Sequence, residues 1–63
     1  MGIKLLRYFD LVVEKQGLSG KMRLTLKTGI TSAKAKDEPD SVENLTKFHE
    51  AVQELIGLPI QKI

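Results

Sequence analysis

The stretch KMRLTLKTGI, residues 21–30, decides the fold of this 63-residue chain because it fits two kinds of secondary structure. As a strand it has nearly perfect period two, with Met22, Leu24 and Leu26 on one face and basic or hydroxyl side chains on the other. As a helix it places Met22 and Leu26 in line with Leu18, while Leu24 points the other way. The local pattern therefore favours a strand.

A strand at residues 21–28 would need a second strand to pair with. A lone strand leaves its backbone amides and carbonyls unpaired. A hairpin with residues 8–14 is possible, but it would have to break the better helical pattern of that segment. Ser19 also suits the start of a short helix, and Gly29 suits its end. We therefore predict a helix over residues 19–28. A strand over residues 21–28, paired across a dimer in an α+β fold, remains the alternative.

Three glycines divide the chain. Gly17, Gly29 and Gly57 are each followed by a branched apolar residue and then by a hydroxyl residue or proline. A helix often ends in a left-handed residue, which is usually glycine because it has no Cβ to clash. We therefore predict that all three glycines end helices.

The segments before the first and last of these glycines have helical periodicity. The last segment has an apolar stripe at about 100° per residue and a capping residue, Asp40 or Ser41, at its start. The stripe consists of Val42, Leu45, Phe48, Val52, Leu55 and Ile56. The first segment has a comparable stripe of Leu5, Leu6, Phe9, Val12 and Val13. The predicted fold class is all-α: a small bundle of three helices, at about 3–16, 19–28 and 40–56, in a single domain 1–63 with a polar loop over 31–40.

Two features predict a homodimer. A chain of this length buries only about 60% of the surface that its unfolded form exposes, so association would supplement a small core. Leu11 and Leu24 also project from helix faces that are otherwise charged. With Met22 they form the candidate dimer interface. The alternative is that single leucines are exposed on a monomer, as is common.

Charge is distributed unevenly along the chain. Residues 1–36 contain eight Lys or Arg and two Asp or Glu, for a net charge of +6, and residues 37–63 contain two and six, for a net charge of −4. Either the two halves pair with each other, or the basic half contacts a polyanion. The second interpretation is weak nucleic-acid binding through the basic segment 21–36, with Lys21, Arg23 and Lys27 as the candidate contacts. It is not the favoured one, since this segment has no Asn or Gln to read adenine.

The inventory of reactive side chains argues against catalysis. The chain has no cysteine and one histidine, His49, at the edge of the last apolar stripe. We therefore expect no catalytic, cofactor or metal site, and no enzyme activity. Charged residues interrupt the apolar N-terminus, so we expect neither a membrane span nor an export signal, and a cytoplasmic location. The predicted function is that of a small protein-interaction or oligomerisation module.

Overall fold

The computed structural model of the chain describes residues 2–57 and 59–60. Its helices are α1 (Ile3–Thr28), α2 (Ser32–Ala35) and α3 (Val42–Ile56). No strand occurs within these described residues. The all-α prediction is therefore confirmed, and the strand alternative over residues 21–28 is wrong.

Helix α1 is broken at Gly17 into two arms, which we call the N-terminal arm (residues 3–16) and the C-terminal arm (residues 18–28). Gly17 has φ 72° and ψ −160°, a region of backbone space that is essentially restricted to glycine. Gly29 and Gly57 have φ of 74° and 77° and occupy the left-handed C-cap positions of α1 and α3. All three glycines thus end helical segments, as predicted.

The two arms of α1 fold back on each other. A Cβ added to Gly20 would lie only 2.6 Å from Val12 Cγ1 and 2.7 Å from Gln16 Cβ. In a continuous helix, residues eight apart are separated by about 12 Å along the axis. The proximity of Gly20 to Val12 therefore shows that the break at Gly17 reverses the chain, and that a residue without a side chain permits the close approach.

The core lies between both arms of α1 and one face of α3. Tyr8, Phe9 and Phe48 meet at its centre, with ring centroids 5.5 Å apart for Phe9 and Phe48 and 6.4 Å apart for Tyr8 and Phe48. These separations are typical of favourable aromatic pairs. The buried apolar residues are Leu5, Tyr8, Phe9, Val12, Leu24, Ala35, Phe48, Ala51 and Val52.

Of the two capping residues that the sequence allows at the start of α3, the structure uses Ser41. Ser41 is the N-cap, and its hydroxyl accepts a hydrogen bond from the Asn44 amide at 3.2 Å. Asp40 instead accepts from the amide of Lys4, also at 3.2 Å, in the first turn of α1. Val42, which we expected on the apolar stripe, is 82% exposed because α3 begins there, beyond the edge of the core.

The predicted polar loop contains a short ordered turn. Helix α2 begins after Thr31, whose side chain accepts from the Lys34 amide. Ala35 is fully buried in the core, and the Gly2 amide donates to the Lys36 carbonyl at 3.3 Å. The segment 31–40 therefore packs against the start of α1, and is not merely a solvated connection.

Candidate functional site

The C-terminal arm exposes three large apolar side chains on its outer face. Leu18 is 74% exposed, Met22 69% and Leu26 79%. Their spacing of four residues places them one above another along the arm. We call these three residues the apolar row.

The opposite face of the same arm is the buried one. Gly20, Leu24 and Thr28 also follow a spacing of four, and all three are buried. The Thr28 hydroxyl donates to the Leu24 carbonyl at 2.8 Å, so its polar group is satisfied inside the core. At 100° per residue, the centre of this face lies about 160° from the centre of the apolar row. The row therefore points almost directly away from the core.

The structure places the three residues of the predicted dimer interface in different environments. Leu24 has no exposed surface, so it offers nothing to a partner and is removed from the candidate interface. The reason is that the face of the C-terminal arm that carries Leu24, which looked charged in the sequence, lies against the core. Leu11 is half-buried and packs against the core. Met22 is exposed and lies at the centre of the apolar row.

Sequence reasoning missed Leu18 and Leu26 as surface residues. Large apolar side chains at a helical spacing normally form the buried stripe, so Leu18 and Leu26 were not considered as surface residues. The overlooked signal is Gly20, which permits close helix approach and shares its face with Leu24 and Thr28. A face that includes a residue without a side chain is suited to close contact with another helix.

The candidate polyanion contacts do not form one basic surface. Lys27 Nζ lies 3.0 Å from Glu54 Oε1 of α3, which pairs the basic half of the chain with the acidic half at this point. Lys27 also borders an open groove of about 400 Å³ whose lining contains three glutamates. The full lining is Lys27, Glu43, Thr46, Lys47, Glu50, Ala51 and Glu54. Arg23 is exposed, and Lys21 is half-buried.

Two partly buried hydrogen bonds join α3 to the N-terminal arm. The Tyr8 hydroxyl and His49 Nδ1 share a hydrogen bond of 2.9 Å, and their rings meet edge to face at 5.9 Å. The Gln16 side-chain amide donates to the Leu55 carbonyl of α3. His49 is thus a half-buried packing residue at the edge of the stripe, with Tyr8 as its partner. The sequence placed it at that edge but did not identify the partner.

Comparison of the chain with protein-family models, with curated proteins and with solved structures gave no significant match. Among the described residues, no group of three His, Cys, Asp or Glu side chains is arranged to hold a metal ion. Within the same part of the chain, no helix combines the length and the apolar composition needed to cross a membrane. The apolar row is the feature of this surface that most needs a functional explanation.

Proposed function

We propose that this chain is a small protein-interaction module and that the apolar row is its binding surface. The observation that supports the proposal is the exposure of Leu18, Met22 and Leu26 on a single outward helix face. Isolated exposed leucines are common on soluble proteins, but a contiguous apolar patch is typical of an interaction site. Helices commonly bind partners through apolar residues spaced in this way.

The internal packing supports the same proposal. The core is filled from the opposite face of the C-terminal arm, where Leu24 is fully buried. Polar side chains in place of the apolar row would therefore leave the core contacts intact. Apolar residues here expose hydrocarbon to water without contributing to the fold, and a partner that covers them would recover that free energy.

Site-directed photo-crosslinking in living cells tests the proposal. A benzophenone amino acid is placed at Met22 in one variant and at Gln53, an exposed position on α3, in the control. We expect a discrete crosslinked product from position 22 and none from position 53, with the partner identified by mass spectrometry. A further variant with Leu18→Gln and Leu26→Gln should lose the product while its helical circular dichroism is unchanged.

The mass of the crosslinked product distinguishes a homodimer from a complex with a second protein. A product of twice the chain mass would show the predicted homodimer and an oligomerisation function. A larger product containing a second protein would show a heteromeric module. Equal crosslinking from positions 22 and 53, or no crosslinking from position 22, would contradict the apolar row as a binding surface.

A further inference from the structure

A hydroxyl residue and then a basic residue flank the apolar row on each side. At 100° per residue, the hydroxyl residues Ser19 and Thr25 lie next to the row, one on each side. Arg23 lies beyond Ser19, and Lys21 lies beyond Thr25. The row therefore has one basic residue on each side, the exposed Arg23 and the half-buried Lys21, and we call this pair its basic rim.

We infer that the apolar row binds an acidic amphipathic helix of another protein. This inference rests on the proposed function and specifies the partner. The partner helix would present apolar residues at i and i+4 to the row, with Asp or Glu on both flanks facing Lys21 and Arg23. Opposite charges at the rim of an interface accelerate association and disfavour incorrect partners. The hydrocarbon contact at the centre supplies most of the affinity.

A second copy of this chain fits the same surface poorly. In an antiparallel two-fold pairing of two rows, each edge faces the same edge of the other copy, so Lys21 faces Lys21 and Arg23 faces Arg23. In a parallel pairing, opposite edges meet, so Lys21 faces Arg23. Both arrangements bring basic groups together, and like charges across an interface are unfavourable. The rim therefore favours an unlike partner over self-association through this face.

An anionic membrane would also attract basic residues beside an apolar strip. Lipid-binding surfaces typically carry a cluster of about four to eight Lys or Arg, whereas the row has one basic residue on each side, Lys21 and Arg23. A single helix, about 10–12 Å wide, contacts a narrow strip with few charges. The charge pattern therefore favours a helix over a membrane surface.

Selection from a displayed peptide library tests the charge of the partner. The library consists of helical peptides about 20 residues long, with apolar residues fixed along one face and the flanking positions fully randomised. The target is the full 63-residue chain. A parallel selection uses a variant with Lys21→Glu and Arg23→Glu, after circular dichroism has shown that it is folded. A third target carries Leu18→Gln and Leu26→Gln.

We expect the natural chain to enrich Asp and Glu at the flanks, and the charge-reversed variant to enrich Lys and Arg. The best acidic peptide should bind the charge-reversed variant at least about tenfold more weakly. Enriched flanks with no charge bias, or with basic residues, would overturn the acidic partner and leave the binding surface in place. The same holds if vesicles containing phosphatidylserine bind through the row while no acidic peptide is enriched.

The third target distinguishes failure of this inference from failure of the proposed function. Enriched peptides should not bind the chain with Leu18→Gln and Leu26→Gln, because both ends of the row are then polar. Peptides that bind this variant and the natural chain equally would contradict the apolar row itself as a binding surface. Such a result would overturn both the inference and the function on which it rests.

Discussion

Two leucines in the same arm, two residues apart, should differ sharply in their contribution to stability. Leu24 is fully buried in the core, whereas Leu26 is 79% exposed in the apolar row. Truncation to alanine deletes the same atoms at both positions. Because the two sites share a helix and a substitution, Leu26→Ala is a matched control for Leu24→Ala.

The expected changes in the free energy of unfolding follow from how deeply each leucine is buried. Removing a buried leucine side chain costs the lost transfer free energy plus the cost of the cavity, about 3 kcal/mol in total. A 63-residue domain has a free energy of unfolding of about 3–9 kcal/mol. Leu24→Ala should therefore remove a large fraction of the stability and raise the unfolded fraction on the order of a hundredfold. Leu26→Ala should change stability by no more than about 0.5 kcal/mol.

Urea denaturation followed by circular dichroism at 222 nm measures both variants. We expect Leu24→Ala to unfold at much lower urea than the natural chain, or to be unfolded without urea, and Leu26→Ala to unfold at nearly the natural midpoint. Equal destabilisation by the two substitutions would refute the orientation of the C-terminal arm. A larger effect of Leu26→Ala would mean that the apolar row is the buried face.

Three further substitutions test contacts that position this arm and its neighbours. Gly20→Ala should destabilise by about 1 kcal/mol or more in urea denaturation, because steric overlap with the N-terminal arm outweighs the better helix propensity of alanine; a more stable variant would show that the arms are not in close contact. Tyr8→Phe should cost about 1 kcal/mol through loss of the hydrogen bond to His49, with aromatic packing retained; an unchanged melting temperature would argue against that bond. Asp40→Ala should lower stability by about 1 kcal/mol and increase hydrogen exchange at the Lys4 amide; unchanged exchange there would contradict the cap.

The sequence predicted the helices well because their ends are local features. Gly17, Gly29 and Gly57 adopt the positive φ values that were predicted for helix-ending glycines. Glycine at such positions reflects backbone sterics within a few residues, so no tertiary information is needed. The helical nature of residues 19–28 followed from counting strand partners, even though the local alternation favoured a strand.

The orientation of the C-terminal arm was not predictable from hydrophobicity. Its outward face carries three large apolar residues, and its buried face carries one, Leu24, between Gly20 and Thr28. A hydrophobic count therefore selects the wrong face as core. The close approach at Gly20 decides the orientation, and such a contact between segments is a tertiary property. The apolar row, and with it the candidate binding surface, could be located only from the three-dimensional arrangement.

The charge asymmetry was only partly interpretable from sequence. The sequence left open whether the basic half pairs with the acidic half or faces outward. Within the described residues, an ion pair joins the two halves from Lys27 to Glu54, while Arg23 is exposed at the rim of the apolar row. Which lysine or arginine is paired depends on where α3 lies against the C-terminal arm, and residue order alone does not specify that.

The solvent exposure of the leucine methyl groups tests the central claim most directly. Methyl NMR of the purified chain with a soluble paramagnetic agent reports that exposure residue by residue. We expect strong relaxation of the Leu18 and Leu26 methyls and little relaxation of Leu24, at both low and high protein concentration. Protection of Leu18 and Leu26 at every concentration would contradict an open binding surface. Protection that develops only at high concentration would show that a second copy covers the row and would overturn the unlike, acidic partner.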